Sequence, residues 1–154
     1  MPRVMLKPQS HYPITVTLDV RVNDLNYGAH LGYDRLLTLV HDVRLKLFSK
    51  LEVTELDLGD GKTGVIAVDA ALSYRGEAFL HDSLLFETKP VEIGSGSFRL
   101  AHRVTNVKTQ KLVALMEIGF AAFDYSSRRP ARLPDGIREK LEKLADELDN
   151  VEAL

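Results

Sequence analysis

The segment from Asp24 to Asp34 carries the residues of this chain whose types and spacing best suit acid–base chemistry. Either terminal carboxylate can accept a proton from water, and the Asn26 amide can orient that water or a carbonyl group by hydrogen bonds. His30 can donate a hydrogen bond or hold an acid in place, and at helical spacing Asp34 lies one turn beyond it on the same face. The alternative is structural, because Asp and Asn often form caps and Asx turns before helices.

The backbone N–H groups at the start of the predicted helix are a second set of groups that can take part in a reaction. The first N–H groups of a helix have no partner inside it and lie at the positive end of its dipole, so they can stabilise an oxygen that becomes negative during a reaction. The alternative is that Gly28 only permits a turn and that these groups face water. The residues at this position are Gly28, Ala29, His30 and Leu31.

A strand and a helix are predicted on either side of this segment. From Pro13 to Val22 apolar and polar residues alternate, which predicts a half-buried strand. Apolar residues then recur at helical spacing, which predicts an amphipathic helix of about five turns from near His30 to near Lys50. Its apolar stripe consists of Leu36, Leu37, Val40, Val43, Leu47 and Phe48.

The region from Gly64 to Tyr125 is typical of an antiparallel meander, because short turn-forming stretches separate its apolar runs. The last run is apolar on both faces, which predicts a central strand covered on each side. The long helix can cover one face, and a partner subunit or the tail can cover part of the other. The predicted strands span residues 64–75, 83–93, 97–107 and 111–125.

The chain ends in a basic linker, followed by a second amphipathic helix marked by Ile137, Leu141, Leu144 and Leu148. We interpret residues 1–126 as the main domain and residues 127–154 as a linker and helix that belong to the same domain. The order of elements indicates an α+β fold in which a curved antiparallel sheet of about five strands wraps one long central helix. Such a sheet leaves a strand edge open, so we expect a homodimer at minimum.

Composition excludes several classes of function. Lys and Arg number 20 and Asp and Glu number 22, and the net charge of -2 gives no general attraction to nucleic acid or to an anionic membrane. The absence of cysteine excludes disulfides, thiolate nucleophiles and cysteine-based metal sites. The other histidines show no metal spacing with nearby acids, so we expect no metal. No stretch approaches the ~20 apolar residues that span a bilayer, and we expect a cytoplasmic protein.

Residues 22–34, V-N-D-L-N-Y-G-A-H-L-G-Y-D, resemble the hotdog-fold thioesterases of the 4-hydroxybenzoyl-CoA and acyl-CoA thioesterase type, whose pattern is roughly D-x-D-x-x-G-H-V-N-N. Residues 73–84 resemble the strand, short loop and G-D-x-L strand start of that family, and the resemblance covers roughly residues 13–125. It implies a hotdog fold and hydrolysis of an acyl-CoA thioester to free acid and CoA. It also implies no cofactor other than coenzyme A as part of the substrate, and a homodimer or homotetramer.

The resemblance is incomplete at the site itself. Asp24 and His30 align with the first acid and the His of the family, but Asn26 stands at its second acid and Ala29 at its Gly. Since the second acid is often the nucleophile or base there, the identity of the base stays open between Asp24 and Asp34. The implied catalytic residues are Asp24, Asn26, Gly28, Ala29, His30 and Asp34. The implied substrate-binding residues are Tyr27, Leu31, Arg75, Arg99 and Arg103, with the arginines directed to the phosphates of CoA.

Two other functions stay open at this point. One is a hotdog hydratase or dehydratase that acts on a 3-hydroxyacyl thioester, since Asp24, Asn26 and His30 resemble its D-x-N-x-x-H pattern with one residue too many. The other is an acyl-CoA-binding or regulatory module without catalysis, since an amide replaces an acid at Asn26. Release of free CoA distinguishes hydrolysis from hydration, and thermal stabilisation by ligand without turnover would favour the binding module.

Overall fold

The computed structural model describes residues 2–148 and 150–154, and its elements follow the predicted order. The long strands are β1 (Ile14–Asp19), β2 (Thr63–Tyr74), β3 (Ser83–Val91), β4 (Ser97–Asn106) and β5 (Leu112–Asp124). The helices are α1 (Tyr33–Lys50) and α2 (Asp135–Asp146). Two strands of two residues each, β6 (Arg129–Pro130) and β7 (Glu152–Ala153), were not predicted.

The strands form one sheet in the order β2-β5-β4-β3-β1-β7, and β6 pairs with the end of β5. The five long strands pair antiparallel, whereas β7 joins β1 in parallel. The predicted meander is confirmed for β3, β4 and β5, and the turn between β3 and β4 is tight because the Gly94 N–H donates to the Ser97 carbonyl at 2.8 Å. The prediction was wrong for β2, which crosses over to pair with β5 instead of β3. Strand β5 lies between β2 and β4, which confirms the central position that its two apolar faces predicted.

Helix α1 lies on the inner face of the curved sheet. The Phe48 ring is 6.5 Å from the Phe98 ring, which stacks on Phe120 at 5.4 Å between centroids. Full burial of one large apolar side chain contributes ~1.5–3 kcal/mol, so this contact is a main source of the stability of the fold. A long helix wrapped by an antiparallel sheet is the hotdog arrangement, as predicted. The side chains of α1 that are fully buried here include Leu36, Val40, Val43 and Leu47.

The N-terminal segment crosses the outer face of the sheet. Tyr12 is buried there, and the Arg103 guanidinium lies 4.7 Å from the centroid of its ring. Arg75 donates a hydrogen bond to the Leu6 carbonyl at 3.2 Å, which holds the segment further along. Leu115, on the outer face of β5, is buried as well. Part of this face is therefore covered by the start of the chain, a role that the sequence pattern did not predict.

Helix α2 packs its apolar face into the same core as α1. Ile137, Leu141 and Leu144 are buried in that core, and the Lys140 ammonium donates to the carbonyl of Leu51 at the end of α1 at 2.7 Å. Among the described residues, no helix combines the length and the apolar character that crossing a membrane requires.

One histidine is buried inside this core. His102 on β4 is 1 % exposed, and its Nδ1 lies 2.9 Å from the Thr88 hydroxyl, while Nε2 has no hydrogen-bond partner among the described residues. Burial, together with the positive charge of Arg44, lowers the pKa of His102 to about 3. The ring is therefore neutral in the folded protein at neutral pH.

This burial predicts acid sensitivity of the fold. Because unfolded histidine has a pKa of about 6.5, the unfolded chain takes up a proton below that pH, whereas folded His102 does not until about pH 3. We expect His102 to lower the free energy of unfolding by about 2 kcal/mol between pH 7 and pH 5. Urea unfolding measures the free energy of unfolding at both pH values. Its decrease from pH 7 to pH 5 should be smaller in His102→Gln than in the wild type. Equal pH dependence in the two proteins would contradict the prediction.

Candidate active site

Two loops form the region of the candidate site, residues 20–32 before α1 and residues 75–82 after β2. The Leu31 N–H donates to the Ala78 carbonyl at 2.8 Å, and the His81 N–H donates to the Val20 carbonyl at 2.9 Å. The hydroxyl of Tyr74, at the end of β2, donates to the Leu31 carbonyl at 2.9 Å. These bonds connect the start of α1 to the sheet and explain why residues far apart in the sequence form one surface.

Asp24 stabilises the first loop. It is 4 % exposed, and its carboxylate accepts the Arg21 N–H at 2.8 Å across a short 3-10 turn. Its own carbonyl accepts the Gly32 N–H at 3.1 Å. A carboxylate that is buried and occupied in this way suits the capping alternative better than the role of a base in water.

The Asn26 side chain forms an Asx turn. Its Oδ1 accepts the Gly28 N–H at 2.9 Å, and its main chain exchanges further bonds with Ala29 and His30 across the loop. The His30 ring covers Gly28, since a Cβ atom at Gly28 would lie 2.9 Å from His30 Nε2. The loop therefore needs glycine at this position to hold the His30 ring where it is.

Ala29 occupies a conformation that glycine adopts more easily. Its φ is +59°, in the left-handed region, at the position where the resembled family has Gly. We expect Ala29→Gly to raise the free energy of unfolding by about 0.5–1 kcal/mol, because the strain of the Cβ atom is removed. Ala71→Gly, in the extended strand β2, is the matched control and should lower it. Chemical denaturation compares the two, and a loss of stability in Ala29→Gly would contradict the argument.

Helix α1 begins at Tyr33, later than the sequence indicated. Gly32 is its N-cap, and Leu31 before it uses its backbone groups for bonds to Ala78 of the neighbouring loop and Tyr74 of β2. The His30 carbonyl accepts the Asn26 N–H within its own loop. His30 therefore precedes the helix, and helical spacing does not place it on the same face as Asp34. In the described part of the chain, these two side chains form neither a hydrogen bond nor an ion pair.

The Asp34 side chain folds back over the helix start. A Cβ atom at Gly32 would lie 2.5 Å from Asp34 Oδ1 and 3.6 Å from the Cβ of Asn26, so the absence of a side chain at Gly32 leaves the space that the carboxylate fills. Asp34 itself is exposed and lies in the first turn of α1, where the helix dipole favours a negative charge. Its carboxylate is therefore available to water and to a ligand.

The backbone donors available for an oxyanion differ from the predicted set. Of the four predicted N–H groups, those of Gly28, Ala29 and Leu31 already donate within the protein, at 2.9, 3.0 and 2.8 Å. In the described structure, the N–H groups of residues 33–35 have no acceptor. The free donors thus lie in the first turn of α1, because the chain enters the helix three residues later than expected. Of the predicted set, the His30 N–H also has no acceptor in the described structure.

Tyr74 borders the same region and is a residue that the sequence argument did not assign to the site. Burial and the negative charge of Asp34 raise its pKa to about 12, so its hydroxyl stays protonated and donates to the Leu31 carbonyl. A cavity of about 320 Å³, lined by His30, Tyr74, Gly76 and Glu77, opens beside it. One signal for Tyr74 was available in the sequence. The residue lies at the end of a long predicted strand, within residues 73–84, which resemble the family.

The predicted binding residues lie in different places. Tyr27 is fully exposed at the tip of the first loop, whereas Leu31 is buried beneath it. Arg99 binds Asp69 at 2.7 Å and also Glu117 on the outer face of the sheet.

The remaining predicted arginines differ in their charge partners. Arg103, also on the outer face, pairs with Glu87 at 2.5 Å, so its charge is already neutralised within the protein. Arg75 follows Tyr74 directly, and the structure places it beside the second loop with no carboxylate partner among the described residues. Of the three predicted arginines, only Arg75 lies in one of the two loops of the candidate site, and its side chain bonds Ser73 and the Leu6 carbonyl of the N-terminal segment. In the part of the chain that the structure describes, no three His, Asp or Glu side chains form a cluster suited to a metal ion.

Comparison with known proteins agrees with this architecture. No curated protein matches the chain significantly. Among solved structures, a thioesterase from Thermus thermophilus complexed with coenzyme A and Zn is similar over 91% of this chain and 99% of its own, with 24% identity and a TM-score of 0.75. The probable thioesterase YbaW from Escherichia coli matches 88% of this chain and 100% of its own, with 23% identity and a TM-score of 0.70.

A third solved structure is the 1,4-dihydroxy-2-naphthoyl-CoA thioesterase from Synechocystis, with 16% identity, a TM-score of 0.72 and coverage of 88% of this chain and 98% of its own. At these identities the structures support the fold. The family follows from the sequence match instead, because the model of the thioesterase-like superfamily covers residues 20–141, from the loop before α1 to within α2. The chain thus has the hotdog fold and belongs to the thioesterase-like superfamily.

Proposed function

We propose that this chain hydrolyses acyl-CoA thioesters, with Asp34 as the base that activates water and the first turn of α1 as the oxyanion site. The observation that carries the proposal is the exposed Asp34 carboxylate over Gly32, at a helix start whose N–H groups have no acceptor among the described residues. The cavity beside His30 and Tyr74 offers space for the thioester group. Asp24 is the less suitable base, because it is buried and accepts the Arg21 N–H.

In the proposed reaction, Asp34 accepts a proton from water as the water oxygen bonds to the thioester carbonyl carbon. The carbonyl oxygen becomes negative and is stabilised by the N–H groups and the dipole of α1, where one donor contributes ~3 kcal/mol. The carbon–sulfur bond of the tetrahedral intermediate then breaks. The CoA thiolate takes the proton that Asp34 holds, and free acid and CoA leave.

The other site residues support this arrangement without acting as bases. Asn26 shapes the loop through its bond to Gly28, and its amide N–H groups can donate to the substrate carbonyl or to the water. His30 lines the cavity, and its Nδ1 donates to the Leu31 carbonyl at 3.3 Å, so that Nε2 of the neutral ring is left as an acceptor that can hold the attacking water. No separate cofactor or metal takes part in this scheme.

A second copy of the chain is part of the proposal. Strand β2 forms one edge of the sheet, and its Ile66 and Val68 are 42% and 59% exposed. A groove of about 340 Å³ between β2 and α1 is lined by Leu37 and Ala70 among others. Pairing of two β2 edges would cover this apolar surface, so we propose a homodimer or homotetramer. Light scattering over a range of concentrations tests this, and a monomer throughout would contradict it.

The test of the function is a hydrolysis screen over short, long and aromatic acyl-CoAs, followed by mass spectrometry. Free CoA together with the free acid is the expected result. Gain or loss of one water with the thioester intact would instead identify a hydratase. Thermal stabilisation by acyl-CoA without any turnover would identify a binding module and overturn the proposal.

A further inference from the structure

One peptide unit joins the two halves of the proposed site. It links Leu31 to Gly32, with the His30 ring on one side and the N-cap of α1, which the Asp34 carboxylate covers, on the other. The orientation of this peptide therefore affects both the ring that can hold water and the carboxylate that can accept its proton. The hydrogen bonds that fix the peptide come from the first loop and from the sheet.

Both polar groups of this peptide are hydrogen bonded. The Gly32 N–H donates to the Asp24 carbonyl at 3.1 Å, within the first loop. The Leu31 carbonyl accepts the Tyr74 hydroxyl at 2.9 Å. Because Tyr74 is the last residue of β2 and pairs with Ala114 of β5, the sheet sets the position of its backbone. The Tyr74 bond thus fixes the peptide relative to the sheet.

The Leu31 carbonyl also accepts a second donor, the His30 ring. Its Nδ1 lies 3.3 Å from the carbonyl oxygen, and because that oxygen can only accept, Nδ1 must carry the hydrogen. The two lone pairs of the oxygen allow both bonds at once. His30 and Tyr74 line the same cavity on either side of this oxygen. One carbonyl oxygen therefore links the Tyr74 hydroxyl to the tautomer of the His30 ring.

The bond from the His30 ring is the weaker of the two. Its length of 3.3 Å exceeds the usual N–H···O range of about 2.7–3.2 Å, whereas the Tyr74 bond has an ordinary length for a hydroxyl donor. The ring is half-buried, so water can compete for either of its nitrogens. Burial and the charge of Asp34 raise the pKa of Tyr74 to about 12, so the stronger donor is present at neutral pH.

We infer that Tyr74 is a positioning residue, which acts through the Leu31 carbonyl to hold His30 in the tautomer with the hydrogen on Nδ1. Without the hydroxyl, water from the cavity can bind the carbonyl in its place, and the ring is free to adopt either tautomer. The consequence for turnover rests on the proposed acyl-CoA hydrolysis, in which Nε2 holds the attacking water. The state of the ring depends on the protein alone.

Two variants that each lack one hydroxyl provide the test. Tyr74→Phe removes the bond to Leu31 and keeps the ring that lines the cavity. Tyr125→Phe is the matched control, because the Tyr125 hydroxyl also donates to a main-chain carbonyl, that of Val65 at 2.7 Å, and lies outside the site. Each variant loses one hydrogen bond of the same kind, so both should lose a similar amount of stability in chemical denaturation. A difference between them at His30 therefore reports on position.

The tautomer is measured by nitrogen NMR on protein with isotope-labelled histidine rings, in mildly alkaline buffer and without substrate. The signals of His30 are identified by their absence from His30→Gln. We expect the hydrogen on Nδ1 of His30 in the wild type and in Tyr125→Phe, and a distribution over both nitrogens in Tyr74→Phe. The His102 ring, buried in the core, should give the same signals in all three proteins.

Steady-state kinetics with the best acyl-CoA from the screen completes the test. Tyr74→Phe should lower kcat about tenfold with KM near the wild-type value, because the ring stays in the cavity and only the attacking water is held less well. Tyr125→Phe should have the kcat of the wild type. If no acyl-CoA is hydrolysed, the proposed function fails, and the spectra still decide the role of Tyr74. Wild-type His30 signals in Tyr74→Phe, whatever its kcat, would overturn the inference, as would a wild-type ring with its hydrogen on Nε2.

Discussion

Replacing Asp34 by Asn is expected to lower kcat about hundredfold, because the amide keeps the shape of the side chain but cannot accept the proton of the attacking water. The carboxylate fills the space over Gly32 beside the free N–H groups of α1, and an amide of the same size should fit that space. Binding should change little, and KM should stay close to the wild-type value. Steady-state kinetics with the best acyl-CoA from the screen measures both constants.

Asp42→Asn is the matched control for this variant. Asp42 lies on the same helix, is exposed and forms no ion pair among the described residues, so its replacement changes the charge equally without touching the loop. We expect wild-type kcat in the control. Wild-type kcat in Asp34→Asn would exclude Asp34 as the base and leave Asp24 as the nearest carboxylate to test.

The second prediction with a large expected effect concerns the stability that the ion pair of Arg44 and Glu55 gives to the fold. Arg44 lines the groove between β2 and α1. Arg44 is almost fully buried, its guanidinium lies 4.8 Å from the centroid of the Phe120 ring, and Glu55 binds it at 2.5 Å. We expect Glu55→Ala to lower the free energy of unfolding by about 3 kcal/mol, because it leaves a buried charge without its partner. Chemical denaturation measures the change.

Two comparisons make this result specific. Glu52→Ala removes a carboxylate that is 87% exposed and 3.9 Å from Lys140, and its stability should equal that of the wild type within error. Glu55→Gln keeps a hydrogen-bond acceptor and should fall between the wild type and Glu55→Ala. Equal stability of Glu55→Ala and Glu52→Ala would show that the buried pair contributes nothing.

The pH dependence of the Glu55 contribution has a defined sign. Burial favours a higher pKa, but the hydrogen bond and charge of Arg44, with those of His41, outweigh it and hold the pKa of Glu55 below its ordinary value. The folded state therefore binds the proton less readily than the unfolded chain does. Stabilisation by Glu55 is complete above the ordinary pKa of about 4.3 and is lost as the pH falls below it.

Much of the fold could be predicted because local patterns specify it. Alternation of apolar and polar residues predicted β1, and helical spacing predicted α1 as far as Lys50. The apolar faces of β5 predicted its central place in the sheet. The start of α1 at Tyr33 was not predicted, since it depends on the bond from Leu31 to the distant Ala78.

The sequence predicted where the candidate site lies, but it predicted the roles of the individual residues less well. The segment from Asp24 to Asp34 does meet the loop after β2, but Asp24 and Asn26 hold the loop, while Asp34 is the exposed carboxylate. Tyr74 joins the site through its bond to Leu31, a contact between residues far apart in the sequence. Sequence spacing carries no information on such a contact, because the sheet and not the local chain sets the distance.

The sequence by itself determined the family, the order of the elements and the segment in which the chemistry lies, since each depends on residue types at short spacing. The tertiary structure decided which carboxylate is exposed and which backbone donors are free. It also decided which arginine has no acidic partner. Arg99 and Arg103 pair with carboxylates on other strands of the sheet, whereas Arg75 pairs with none among the described residues. Hydrogen bonds and ion pairs between distant segments determine these properties, and only the folded chain brings those segments together.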